Sequence, residues 1–242
     1  KMVVVHLTAH KDQAHPHDDF GMAPLPVRPV SLSETELDDI DSCRAAQNRS
    51  YFFSFQGRPR IPFPKYTEYF KPMHGKNGVH AVFTFGHYQR SNHSNAWGGK
   101  VLGGLDAQQQ RSDDYYNILR DTVFAGCPRG DNLFAYRFAE ILSAGSIPVV
   151  YADGWVLPFL PQVVDWNEVG VLIAQDDVNQ TMDILKSFTA EQICAKQKKV
   201  LEVYHNYVKD SHGRLRGILE SLQVRMQSEE PIMFAAAPGD AV

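Results

Sequence analysis

Apolar residues follow two rhythms along this chain. In the first half they come as short unbroken runs: Val3-Val4-Val5, then Tyr51-Phe52-Phe53-Ser54-Phe55 closed by Gly57, then Val79 to Phe85. A short apolar run bounded by polar residues or glycine is the pattern of a buried strand. A short helix is expected from Ser33, which precedes Glu34-Thr35-Glu36, to about Gln47. From Asp113 onward the runs alternate with stretches of helical spacing. Helices are expected over 113–120, 133–144 (opened by Asp131 or Asn132) and 177–187, and strands over 122–125, 147–151 and 169–174. Thr189 with Gln192 three residues on predicts a capping box. The helix it opens carries Ile193, Val200, Tyr204, Tyr207 and Val208 until Gly213 and Gly217 weaken it. Strands alternating with helices in this way define an α/β protein, a parallel sheet with helices on both faces.

Composition narrows the function classes. The 242 residues are 43% hydrophobic and 21% charged, enough for a sizeable core. A formal net charge of −4 with no basic block argues against nucleic acid as a partner. The cluster Lys196, Lys198 and Lys199 lies in a helical pattern and reads as a solvated face. No stretch is long and apolar enough to span a membrane. The chain opens at Lys1 directly into an apolar run, like the middle of a protein, so a signal or anchor is expected upstream. Three cysteines, Cys43, Cys127 and Cys194, lack metal-ligand spacing; they form either one disulfide with a free thiol or three free thiols. Sequons at Asn48, Asn92 and Asn179 lean toward a lumenal compartment. The pairs Asp113-Asp114 and Asp176-Asp177 fall where helices start, and helix capping explains them better than a metal site. Neither an essential metal nor a cofactor is expected, and most of the ten histidines read as solvent-facing.

The chemistry-bearing junction is Phe124-Ala125-Gly126-Cys127-Pro128-Arg129-Gly130-Asp131-Asn132. In open parallel sheets ligands bind beyond the carboxyl ends of the strands. Here Gly126 and Gly130 permit a tight turn and close backbone approach, a helix N-terminus follows, and Arg129 offers a bidentate grip on phosphate. Together these parts suit a diphosphate. Arg137 and Glu140, three apart, share a helix face. Read from the residues alone, a surface ion pair is favoured over the alternative, in which Glu140 takes both hydroxyls of a ribose. Cys127 beside the turn reads as structural or disulfide-bonded. Trp166 reads as core and Trp155 as a pocket residue.

The segment from Phe124 to Trp166 resembles the exostosin family of glycosyltransferases. The resemblance is carried by Cys127-Pro128-Arg129-Gly130, Arg137-Phe138-Ala139-Glu140 and Ala144-Gly145-Ser146-Ile147-Pro148-Val149. It continues through Gly154-Trp155-Val156-Leu157-Pro158-Phe159 and Val164-Asp165-Trp166. Upstream, Phe53-Ser54-Phe55-Gln56-Gly57-Arg58-Pro59-Arg60 looks like the family's aromatic strand, turn and arginine. The resemblance implies a GT-B architecture of two Rossmann-like domains, of which this chain holds the C-terminal, donor-binding one. Residues 1–30 would then be the remnant of the N-terminal domain and a proline-bearing linker, 31–228 the nucleotide-sugar domain and 229–242 a tail. It implies inverting transfer from a nucleoside diphosphate sugar, with UDP the expected nucleotide, to a glycan acceptor. The alternative is a catalytically silent partner subunit; a dehydrogenase is disfavoured because no GxGxxG follows a strand. By the same analogy Arg58 or Arg60 and Arg129, with Gly130, face the diphosphate, and Glu140 takes the ribose. Arg137 contacts the donor or holds Glu140, Asp153 and Trp155 line the sugar pocket, and no residue is assigned as the general base. A Golgi-lumenal protein anchored outside this chain is implied, and a glycosyltransferase partner subunit is admitted. Ser146 stands where many members have a cysteine.

Overall fold

The apolar runs pair as one parallel sheet. A computed structural model describes residues 5–6, 20–21, 26, 28–57, 64–83, 114–129 and 133–227. Two short strands, β1 (Val5–His6) and β2 (Phe20–Gly21), pair parallel to each other. The main sheet contains β3 (Tyr51–Gly57), β4 (Val79–Phe83), β5 (Thr122–Pro128), β6 (Ile147–Tyr151) and β7 (Val171–Leu172). Its spatial order is β4-β3-β5-β6-β7, and every neighbouring pair is parallel. All five residues of β6 are buried, which is why its sequence runs apolar without alternation. From β3 the chain moves outward to β4, then returns to the other side of β3 and continues through β5, β6 and β7. The direction of winding therefore reverses between β3 and β5, and the carboxyl ends of these two strands border the crevice that such a reversal opens. The architecture is α/β and Rossmann-like.

Nine α-helices flank the sheet among the described residues: α1 (Glu34–Asp41), α2 (Ala45–Asn48), α3 (Pro64–Phe70), α4 (114–120), α5 (Arg137–Ser143), α6 (Trp166–Val169), α7 (Thr181–Lys186), α8 (Ala190–Val203) and α9 (Ser211–Gln227). The expected capping box of Thr189 with Gln192 opens α8, and Ser33, at the expected helix start, forms a second one with Glu36 that opens α1. Where one helix is expected from 33 to 47 there are two, because Cys43 takes a left-handed φ of 62° between them. The expected helix over 177–187 begins as a 3₁₀ stretch, Gln175–Gln180, before α7. Gly213 and Gly217 do not end the last helix. A π-turn at Tyr204–Val208 joins α8 to α9, and both glycines lie inside α9, where neighbours come too close for a side chain. A Cβ at Gly217 would stand 2.5 Å from the Phe159 ring, and one at Gly213 would stand 2.8 Å from the carbonyl of Asn206.

Gly126 is a correction of the same kind. It lies within β5, paired with Val149, so it makes no turn toward a ligand. Its missing Cβ is filled from the opposite layer: a methyl there would meet the Tyr66 hydroxyl at 2.1 Å and the Phe53 ring at 3.0 Å. Tyr66, on α3, is buried against Phe55, Phe70 and Tyr151. Gly126→Ala is therefore expected to cost about 1–3 kcal/mol through overpacking, read as a lowered urea midpoint at unchanged m value. An unaltered midpoint would show that Tyr66 yields freely.

Of the two cysteine arrangements left open by the sequence, the disulfide is formed. Cys43, after α1, bonds Cys194 on α8 across 151 positions, and Cys127 stays free and buried. Ser146, fully buried, is a hydrogen-bond hub instead of a bridge. Its hydroxyl lies 2.6 Å from the Leu119 carbonyl and accepts from Arg49 Nη1 at 3.1 Å. Arg49 also donates to the carbonyls of Thr122, Gly145 and Ala144, at 2.6, 3.0 and 2.9 Å. Burial pulls its guanidinium down to about 10, and these acceptors keep the buried cation satisfied.

Candidate functional site

The side chains of interest gather where β3 and β5 end. The two strands run in register from Tyr51 opposite Thr122 to Ser54 opposite Ala125, so their carboxyl ends lie side by side. Arg129 directly follows β5, and its N–H extends the ladder to the Tyr151 carbonyl at 3.0 Å. Its Nε is buried and has no hydrogen-bond partner among the described residues. A buried donor left unpaired costs about 1–3 kcal/mol, more when charged, and calls for an explanation by function. Gly130, Arg58 and Arg60 lie outside the described residues, in the segments that directly follow β5 and β3.

The helix after β5 starts at Arg137, later than the expected 133, with a bend and turn over 133–136. Glu140 is 7% exposed. It is not half of a surface ion pair: among the described residues its carboxylate accepts from two neighbouring phenols of α4. Tyr115 donates to Oε2 at 2.9 Å and Tyr116 to Oε1 at 3.3 Å. Burial, reinforced by the neighbouring Glu140 charge, pushes the Tyr116 hydroxyl up to about 12 and the Tyr115 hydroxyl further, so both remain donors at neutral pH. Arg137 turns away from Glu140. Its Nη2 donates to the Gln56 carbonyl near the end of β3 at 2.6 Å. Its guanidinium lies between two rings, 4.7 Å from the centre of Phe55 and 5.2 Å from that of Tyr115. Arg137 thus ties the end of β3 to Tyr115. Gly57 makes room for it, since a Cβ there would meet Nη2 at 2.5 Å. The Cys127 thiol is pushed up to about 12 by burial, so it is neutral and packs as a small apolar group.

The two residues expected to line a sugar pocket do other work. Asp153 receives the N–H of Gln175 at 3.0 Å on Oδ1 and 3.2 Å on Oδ2, which holds the start of the 3₁₀ stretch against β6. Trp155 is 2% exposed, its ring 5.1 Å from Phe138 and edge-on to it. It belongs to the core, so it offers no face for a sugar. The glycine beside it, Gly154, takes a φ of 72°, and that turn directs the indole inward. Trp166 is core as expected, with its indole N–H donating to the Pro158 carbonyl at 2.7 Å. Asp176 pairs with Lys65 and Asp177 accepts from the Gln180 side chain. A cavity of about 200 Å³ at the amino edge of the sheet is lined by Glu36, Asp39, Asn48, Arg49, Arg120 and Asp121. These polar groups bond one another or nearby backbone.

Sequence reasoning did not single out Tyr115, Tyr116 or Gln56. Two tyrosines in a helical stretch read as packing, and only tertiary structure brings α4 to α5.

An arginine at one strand end and a held carboxylate on the next helix, beside the switch point of a parallel sheet, stand where open α/β proteins bind their ligands. Residues 1–188 match the exostosin GT47 domain, and the chain belongs to that family of glycosyltransferases. It is 26% identical over 212 residues to an exostosin-1 homolog of Caenorhabditis elegans, covering 84% of this chain and 53% of that protein. To exostosin-1 of Drosophila melanogaster it is 28% identical over 170 residues, 69% of this chain and 22% of that one. A probable glucuronosyltransferase of Oryza sativa subsp. japonica is 35% identical over 118 residues, covering 48% of this chain and 28% of the other. The chain thus spans about half the length of the worm protein and about a fifth of the fly protein.

Proposed function

We propose that this chain is the donor-binding half of an inverting glycosyltransferase that moves a sugar from a nucleoside diphosphate sugar, UDP-linked, to a glycan acceptor. The observation that carries the reading is the buried Nε of Arg129 at the end of β5, a cationic donor with no acceptor among the described residues, beside the switch point of the sheet. A diphosphate supplies that acceptor, and Glu140 on the following helix supplies a carboxylate for ribose hydroxyls. Names of relatives support the class: one is called a probable glucuronosyltransferase and another a probable beta-1,4-xylosyltransferase. The reaction is a single displacement. An acceptor hydroxyl attacks the anomeric carbon and gives up its proton to a general base, for which no residue of this chain is assigned; the bond to the diphosphate oxygen breaks, and the leaving diphosphate keeps the electron pair. Arg129, with Arg58 or Arg60 from the neighbouring strand end, offsets the charge that grows there. A lumenal, oxidising compartment is part of the proposal, supported by the Cys43–Cys194 disulfide and by exposed sequon asparagines at Asn48 and Asn179.

Titration of the chain with UDP in metal-free buffer tests the reading. Saturable binding is expected, weakened at least about tenfold, or about 1.4 kcal/mol, in Glu140→Ala. A folded chain that ignores UDP at millimolar concentration would reject the donor site.

A further inference from the structure

The carboxylate of Glu140 has about four lone-pair sites, two on each oxygen. Tyr115 occupies one on Oε2 and Tyr116 one on Oε1, so the group is pinned at both oxygens and cannot swing about its terminal bond. Among the described residues no other donor reaches the carboxylate, which leaves one acceptor site on each oxygen. That pattern, two acceptors side by side at fixed spacing, complements two vicinal hydroxyls.

The tyrosines are themselves held. Arg137, on α5 and bonded to the end of β3, stacks on Tyr115, and Arg28 lies 4.9 Å from the centre of the Tyr116 ring. The two rings meet edge to face at 5.0 Å. Holding a carboxylate this way costs no charge neutralisation, because phenols donate without bringing a cation. An arginine or lysine in the same place would compete with the ligand for the negative charge.

We propose that Tyr115 and Tyr116 are positioning residues which set the Glu140 carboxylate to receive a vicinal diol, making the site selective for ribonucleoside diphosphates over their deoxy counterparts. The proposal rests on the donor-site reading above. It assigns the selectivity to two residues that never touch the nucleotide.

The test compares UDP with 2′,3′-dideoxy-UDP by calorimetric titration of the whole chain. Tyr115→Phe and Tyr116→Phe keep both rings, hence the stacking of Arg137 and Arg28, and remove only the hydroxyls. Each is expected to weaken UDP by about five- to tenfold, because a carboxylate no longer held loses about one hydrogen bond to the ribose, and to change dideoxy-UDP by less than about twofold. Glu140→Gln serves as the reference, with the same selective loss. Tyrosine variants that bind UDP like the wild type, or that lose both nucleotides equally, overturn the positioning role even when Glu140→Gln discriminates. A Glu140→Gln variant that fails to discriminate, or a wild type that binds neither nucleotide, overturns the donor-site reading itself and the positioning role with it.

Discussion

Serine in place of Cys194 is expected to lower the free energy of unfolding by about 4–5 kcal/mol, the largest effect of any single change considered for this chain. The bond closes a loop across 151 positions, and most of its contribution comes from restricting the unfolded chain. Against a typical stability of about 5–15 kcal/mol the loss is severe. It has a local side as well, because α1 buries Ile40 completely and the bridge at its end holds it to α8. Urea denaturation of Cys194→Ser, of Cys43→Ser and of the reduced wild type should give the same loss in all three. If the midpoints match that of the oxidised protein, the bridge does not stabilise this fold.

Arg129→Ala is expected to weaken UDP binding by about 10- to 100-fold while leaving uridine, which has no phosphate, unaffected. The magnitude follows from one or two charge-assisted hydrogen bonds of about 1.5–3 kcal/mol, partly offset by rearrangement of water in the emptied space. Lysine at this position should recover only part of the affinity, since a point charge does not reproduce the planar fork. Stability should hold or rise, because the substitution removes a buried donor that has no partner among the described residues. Equal losses for UDP and uridine would mean that Arg129 shapes the fold instead of gripping the phosphates, and no loss at all would remove it from the site.

The sheet was the most legible part of this chain. Ile147 to Tyr151 could be bounded to the residue because a strand buried on both faces needs an unbroken apolar run, here closed by Gly145-Ser146 before it and Asp153-Gly154 after it. The capping box at Thr189 was equally plain, since the hydrogen bonds that define it span only three residues. The helix α3 was not read. Its apolar face, Tyr66, Tyr69 and Phe70, is short and lies between Pro64 and Pro72, so the punctuation hid the period. Gly126 and Trp155 were misread for a shared reason. A glycine before a basic residue and a tryptophan after a glycine look the same whether the empty space receives a ligand or another part of the chain. Only the positions of Tyr66 and Phe138 decide it. The site itself was half legible: Arg129, Arg137 and Glu140 came from motif, whereas the phenols that hold Glu140 are joined to it by tertiary contact alone.

The spacing of the cysteines also bears on how the chain must be made. Synthesis delivers Cys127 before Cys194, and for the 67 positions between them it is the one cysteine downstream of Cys43 that has emerged. At about 5–20 residues per second that interval lasts roughly 3–13 s, within reach of the faster disulfide-forming reactions. The native outcome therefore depends on a race. β6, whose residues Val149 and Val150 pair with Gly126 and Cys127, leaves the ribosome well before Cys194, and closing it over β5 removes the wrong thiol from competition. The free cysteine of this domain is protected by the order in which its strands are born.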